Sequence, residues 1–322
     1  MRWERDAGPH RYLNVVPKQS ARRERLTARQ RLAAERSAAA EERQAAARRR
    51  RMLLGVGVPL VLVAVVVAAL VIVKVATGAG GPKSGPTASA AASSVLAQVT
   101  SVPASVLNEV GVGVATTKPT KITAPALTAD GEPRVVYVGA EYCPYCAAER
   151  WAMAVALSRF GTLTGLGETA SSPSDVYPNT ATLTFHGASY ASNYLSFTAR
   201  EIQSNQVVNG TYAPLDTLSS ADQALFDKYN APPYTDSAGS IPFIDIGGRY
   251  VISGASYSPQ VLQGKTQTQI AAALADPNSP IAKAVDGTAN LITAAICQIT
   301  DGQPAAVCQS AGVTTATAAL TG

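Results

Sequence analysis

The sequence predicts an α/β sandwich preceded by one transmembrane helix, and three observations carry that reading. An apolar, β-branched run, RVVYVGA (134–140), leads directly into a Cys-x-x-Cys motif and a helix-patterned segment. Strand and helix patterns then alternate until a hairpin pattern, SIPFIDIGGRYVISGA, begins at Ser240. Ahead of all this lies a stretch of 22 residues without a charge, 52–73. Strands interleaved with helices bury their apolar faces as packed layers.

Residues 1–51 carry 15 Lys and Arg against 6 Asp and Glu, a net of +9, and the remainder carries 12 against 16, a net of −4, which together give the chain's +5. The basic character therefore belongs to a short tail, and a basic nucleic-acid-binding fold is not expected. The tail is rich in Ala, Arg and Glu with few apolar residues (Leu26, Leu32), and reads as a marginal, solvated helix.

The apolar run MLLGVGVPLVLVAVVVAALVIV (52–73) is long enough for the roughly 30 Å hydrocarbon layer at about 1.5 Å per residue. A buried core helix would show a polar stripe, and this run has none. A cleaved signal peptide would have a shorter apolar region followed by an A-x-A site. Arg48, Arg49, Arg50 and Arg51 precede the run and Lys74 alone follows it. This bias predicts a single-pass membrane protein with a cytoplasmic N-terminus and an exported C-terminal domain. Residues 74–94 are small, polar and Gly/Pro-rich, as a flexible tether would be, and 95–322 reads as one globular domain.

Within that domain SVLNEV predicts a short helix capped by Ser105, and GVGVATT a strand. RVVYVGA is a buried strand, and CAAERWAMAVALSRF (146–160) a helix with Trp151, Val155, Leu157 and Phe160 at core spacing. GTLTGLGETAS and ATLTFHG suggest strands. VVNGTY carries the hairpin signal Asn209–Gly210, and SSADQALFDKYN a helix capped near Ser219 or Ser220. SIPFIDIGGRYVISGA reads as two strands joined through Gly247–Gly248, and the end, from Ser258, as mostly helical.

The motif GAEYCPYCAAERW places Cys143 at the junction of strand and helix, with Pro144 and Tyr145 before Cys146. The first helical turn leaves N–H groups unpaired and its dipole is positive, so a thiolate at Cys143 is stabilised. Pro144 suits the first helical position, where its missing N–H is no loss. Cys146, one turn on, can attack a mixed disulfide formed at Cys143. Zinc would ask for four ligands, and His186 is the sole histidine outside the basic tail, where it reads as a polar residue beside a strand. Two thiols at this spacing also suit transfer of copper, or a fixed Cys143–Cys146 bridge. Thiol–disulfide exchange is the leading reading, with no metal and no cofactor expected. Cys297 and Cys308 close a 12-residue loop and read as a structural disulfide in an oxidising compartment.

Strand, Cys-Pro-Tyr-Cys, helix and a downstream Ser-Ile-Pro entering a hairpin resemble the thioredoxin-like superfamily, and Pro144–Tyr145 is the dipeptide familiar from glutaredoxins. The resemblance implies a thioredoxin-like sandwich with Cys143 as nucleophile and Cys146 as resolver. It also implies a cis Ile241–Pro242 bond, with Ile241 and Pro242 as a substrate platform beside Pro144 and Tyr145. The activity implied is a membrane-anchored, extracytoplasmic thiol–disulfide oxidoreductase acting on protein thiols or disulfides and recycled by a membrane redox partner. Its counterpart is a redox-inactive or copper-binding interaction module of the same fold. The longer stretches YVGAEYCPYCAAERWAMAVALSRFGTLTGL and YPNTATLTFHGASYASNYLSFTAREI also resemble the membrane-tethered domain of unknown function 929 family, over about residues 95–310.

Departures from the superfamily pattern are specific. Tyr142 stands where thioredoxin has Trp, and Tyr137 stands where its buried acid would fall, while Glu141 reads as solvated. Ninety-five residues lie between Cys146 and Pro242, so an insertion of strands and loops is expected within 161–218. Tyr177, Tyr190, Tyr194 and Phe197 in that insertion read as core.

Overall fold

The computed structural model describes residues 88–321; the expected cytoplasmic tail and the expected membrane span at 52–73 lie outside the described residues. The chain divides into two units, Met1–Lys83 and Ser84–Gly322, and every described residue belongs to the second. Among the described residues no helix is long and apolar enough to cross a membrane.

Helix α1 (Ala88–Thr100) begins inside the stretch expected to be tether. Val95 and Val99, one turn apart, are fully buried and dock it on the core. Helix α2 (Ala104–Val110) follows as expected, but Pro103 rather than Ser105 holds the N-cap position and no side chain caps it. The strand expected at GVGVATT is a run of turns. Gly111 and Gly113 take φ of 59° and 53°, a left-handed conformation that breaks an extended run.

The central sheet is mixed. It contains β1 (Thr120–Lys121), β2 (Thr128–Ala129), β3 (Glu132–Gly139), β8 (Ser196–Glu201), β11 (Phe243–Ile246) and β12 (Tyr250–Ser253). Its order is β1-β12-β11-β3-β2, and β8 also pairs with β3. Strand β8 runs parallel to β3, with Arg134 beside Ser196 and Gly139 beside Glu201. The other pairs are antiparallel. The β11–β12 turn passes through Gly247 and Gly248 at φ of 67° and 69°, and the Asp245 carboxylate accepts the Gly248 N–H at 2.7 Å.

Both faces of the sheet are covered, so β3 is buried from Val135 to Gly139 while its side chains still alternate. Val135, Tyr137, Ile244, Ile246 and Ile252 pack into a large core with α3 (Pro144–Ser158) and α6 (Pro280–Cys297). Val136, Val138, Phe243 and Val251 pack into a smaller one beneath α4 (Ser220–Tyr229), which Ser219 caps by accepting the Asp222 N–H. Arg134 of β3 pairs with Asp222 of α4 at 2.8 Å. Helix α3 is buried along nearly its whole length, and its Trp151, Val155 and Leu157, with Phe160 just past its end, lie in the large core as their spacing predicts.

Within 161–218, where extra strands and loops are expected, the chain forms two hairpins besides β8. Strands β4 (Gly161–Thr164) and β5 (Gly167–Ala170) pair with β7 (Ser189–Ser192) and β6 (Ala181–Thr184) as one bent hairpin. Strands β9 (Gln203–Val208) and β10 (Thr211–Pro214) form a second hairpin, turning at Asn209 and Gly210 with φ of 52° and 82°. The C-terminal part is helical: α5 (Gln267–Ala273), α6, α7 (Ala305–Cys308) and α8 (Ala311–Thr321). Cys297 at the end of α6 is bonded to Cys308, with Cα atoms 5.7 Å apart.

Candidate active site

Strand β3 delivers the chain to the site and α3 carries it away. After Gly139 a turn closes where the Cys143 N–H donates to the Ala140 carbonyl at 3.2 Å. Cys143 is extended (φ −78°, ψ 120°) and is the N-cap of α3, with Pro144 at its first position. Its sulfur accepts the Cys146 N–H at 3.3 Å, as a Ser or Asp oxygen would at a helix start. The helix terminus thus aims an unpaired donor of its first turn at the Cys143 sulfur, the arrangement the motif predicts.

Cys143 and Cys146 are unbridged, 5% and 0% exposed. Ile241 closes over them from 98 residues away in sequence, its carbonyl oxygen 3.8 Å from the Cys143 sulfur. The Ile241–Pro242 bond is cis, as expected. Ala140, Cys143 and Cys146 form a small apolar cluster of their own, packed by Tyr142, Ile202 and Ile241.

The environment separates the two thiols. A hydrogen bond from the Cys146 thiol holds Cys143 below the ordinary thiol range, and the Cys146 N–H, the Arg150 guanidinium and the Tyr145 N–H act the same way against the effect of burial. Burial pushes Cys146 well above that range, and its hydrogen bond to Cys143 adds to the shift. A thiol whose ionisation is favoured thus sits over a deeper thiol that holds its proton.

Beneath the sulfurs lies a buried ion pair that the sequence reading did not single out. Arg150, one turn beyond Cys146 on α3, donates to Glu201 at the end of β8 through Nε at 2.7 Å and Nη2 at 3.0 Å, and both side chains are wholly buried. Nη2 also donates to the Ala140 carbonyl at 2.7 Å, which ties the pair to the turn that sets Cys143. A signal was present in the sequence. Glu149 and Arg150 are the only charges in a helix otherwise without a polar face, and such a helix is buried all round. Glu149 is also buried, and its two oxygens accept the Ser256 N–H and hydroxyl at 2.8 and 2.9 Å. Tyr137 is fully buried, and burial holds its hydroxyl well above the ordinary phenol range.

Tyrosines ring the dithiol. Tyr142 stacks flat on Tyr212 of β10, with centroids 4.1 Å apart and planes at 2°. Tyr145, between the cysteines, meets Tyr177 edge-on at 5.9 Å. Tyr177 therefore departs from its expected core role and joins the rim. Tyr190 and Phe197 keep that role, packed on each other and partly buried against the large core, as Tyr194 is. His186 pairs with Asp216 at 2.7 Å. Among the described residues no group of three or more His, Cys, Asp or Glu side chains is gathered as a metal-binding set.

A family model described as a domain of unknown function (DUF929) matches residues 118–298, which include the Cys-x-x-Cys motif, Ile241–Pro242 and the pair of hairpins. No curated protein and no solved structure matches the chain.

Proposed function

The chain belongs to the DUF929 family, and from that premise we propose that it is a thiol–disulfide oxidoreductase of thioredoxin-like fold, anchored in the membrane and working on its outer side. The observation that carries the reading is Cys143 at the N-cap of α3, unbridged, with its sulfur accepting the Cys146 N–H and facing the Ile241 carbonyl. The strand order β12-β11-β3-β8, with the motif between β3 and α3 and Ile241–Pro242 at the entry to β11, supports the thioredoxin-like reading. The basic quartet before residues 52–73 and the Cys297–Cys308 bridge support the exported location.

In the reducing direction the Cys143 thiolate attacks one sulfur of a client disulfide. A Cys143–client mixed disulfide forms and the other client sulfur leaves as a thiolate that takes up a proton. Cys146 then gives up its proton and attacks the Cys143 sulfur. The client thiolate departs and is protonated, and two electrons have passed from the dithiol to the client. The reverse sequence oxidises a client dithiol. A membrane redox partner of the same thiol–disulfide chemistry returns the Cys143–Cys146 pair to its starting state. In this reading the Ile241 backbone, whose carbonyl lies 3.8 Å from the Cys143 sulfur, pairs with an extended client chain.

Cys146→Ser tests this by removing the resolver. The variant should accumulate mixed disulfides through Cys143 that a reductant releases, and Cys143→Ser/Cys146→Ser should accumulate none. Equal recovery of disulfide-linked species from both variants would refute the assignment.

A further inference from the structure

Among the described residues five large apolar side chains stand exposed: Val114, Tyr145, Val176, Val207 and Val208. Four of the five sit on segments that meet at the dithiol. Tyr145 lies between the cysteines, 41% exposed, and packs against Tyr177, whose neighbour Val176 is 65% exposed. On the other side Tyr142, next to Cys143, stacks on Tyr212. Tyr212 is the direct cross-strand partner of Val207, so the two side chains project from the same face of the β9–β10 hairpin. Val207 is 60% exposed, and Val208 beside it 52%.

The hairpin is fixed at its base to the site. The Glu141 N–H donates to the Gln203 carbonyl at 2.9 Å, and the Tyr212 hydroxyl donates to Ser172 at 2.7 Å. Two apolar arms thus run outward from Cys143, Tyr142–Tyr212–Val207 on one side and Tyr145–Tyr177–Val176 on the other. Exposed and half-exposed apolar side chains are thus gathered on both sides of Cys143, and such a gathering marks a binding face. Charge narrows the occupant. Segments 139–145, 171–178, 203–212 and 240–242, which build the face, contain Glu141 and Asp175 and no Lys or Arg. An anionic small thiol or an acidic client finds no counter-charge there.

We infer that the client is an extended, non-native polypeptide segment whose cysteine is flanked by aliphatic or aromatic residues, seated on the arms Tyr142–Tyr212–Val207 and Tyr145–Tyr177–Val176. The inference rests on the oxidoreductase reading and deepens it by naming the substrate class. Both arms come from the insertion and from the motif itself, so the hairpins that lengthen this chain between Cys146 and Pro242 have a use: they read the client on either side of its sulfur. The exchange is the one written above, with the client disulfide as electron acceptor in the reducing direction.

The test uses the full-length protein in its reduced form and four disulfides: hydroxyethyl disulfide, oxidised glutathione, and two peptides with one disulfide each, flanked by Leu and Val or by Asp and Glu. The wild type should reduce hydroxyethyl disulfide, prefer the apolar peptide to the acidic one, and use oxidised glutathione more slowly than the apolar peptide. Val176→Ser/Val207→Ser should lower the ratio of kcat/KM for the apolar over the acidic peptide by about tenfold, the scale of one valine's burial lost. Failure to exchange with any of the four disulfides, or in the oxidised form with any of the matching thiols, would remove the oxidoreductase reading itself. Reduction of hydroxyethyl disulfide with equal use of both peptides, with glutathione preferred, or with an unchanged ratio in the variant would overturn the client assignment and leave the dithiol chemistry standing.

Discussion

Arg150 and Glu201 join α3 to the end of β8 by a bidentate ion pair with neither side chain exposed, and the same guanidinium holds the Ala140 carbonyl just before the cysteine turn. Desolvation offsets much of the attraction in a pair of this kind. Breaking it is destabilising, because the survivor is left as a buried charge.

Glu201→Gln or Arg150→Met should therefore destabilise the domain by about 3–5 kcal/mol, read from denaturant unfolding. The double variant Arg150→Met/Glu201→Leu should recover much of that loss, and in it the pH midpoint of Cys143 alkylation should rise, since the guanidinium that favours its thiolate is gone. A double variant that folds with an unchanged midpoint would make the pair purely structural.

Two buried carboxyls predict how stability responds to pH. Burial raises Glu149 to about 7 and Asp286 to about 8. Both then bind protons more tightly in the folded than in the unfolded chain, where they titrate near 4. Their contribution is full below that unfolded value and is lost as pH rises through 7 to 8, after which it is constant. The denaturant midpoint should be higher at pH 5 than at pH 8, and Asp286→Asn should flatten the difference.

Gly287 lies inside α6, where Ala is normally the better helix former. A Cβ there would meet the Val112 carbonyl oxygen at 2.6 Å and the Gly113 Cα at 2.9 Å, both backbone atoms that cannot swing aside. Gly287→Ala should lower stability by about 1–3 kcal/mol, as overpacking does, measured by thermal or denaturant unfolding. An unchanged or raised stability would mean that the 111–117 turns yield to α6.

Cys297→Ser/Cys308→Ser should cost about 3 kcal/mol of stability on the chain-entropy account of a loop this size. Exchange at Cys143 and Cys146 should persist in the folded fraction. Equal stability with loss of turnover would instead make the second pair a relay.

The parts of this fold that the sequence displays are those coded locally. The β3 strand, the Cys143 helix start, the Asn209–Gly210 and Gly247–Gly248 turns and the Ser219 cap all lie where short patterns put them. GVGVATT misleads because alternating valines mimic a strand, while Gly111 and Gly113 adopt positive φ and the Val114 N–H bonds the Lys283 carbonyl, a contact set by distant packing. The helical start at Ala88 is hidden because composition rich in Ala and Ser reads as tether until Val95 and Val99 find a core. At the site, both cysteines and Ile241–Pro242 were legible. The Tyr142–Tyr212 and Tyr145–Tyr177 contacts and the Arg150–Glu201 pair were not, since each joins residues 32 to 70 positions apart.

The most direct test of the central claim is a redox titration of the full-length protein, with the state of each cysteine followed by mass after alkylation. Cys143 and Cys146 should convert together between dithiol and disulfide in one reversible two-electron step, with a midpoint between about −270 and −120 mV, while Cys297–Cys308 stays bonded. Two thiols that stay reduced, or a bridge that stays closed, at every poise across that range would contradict the account.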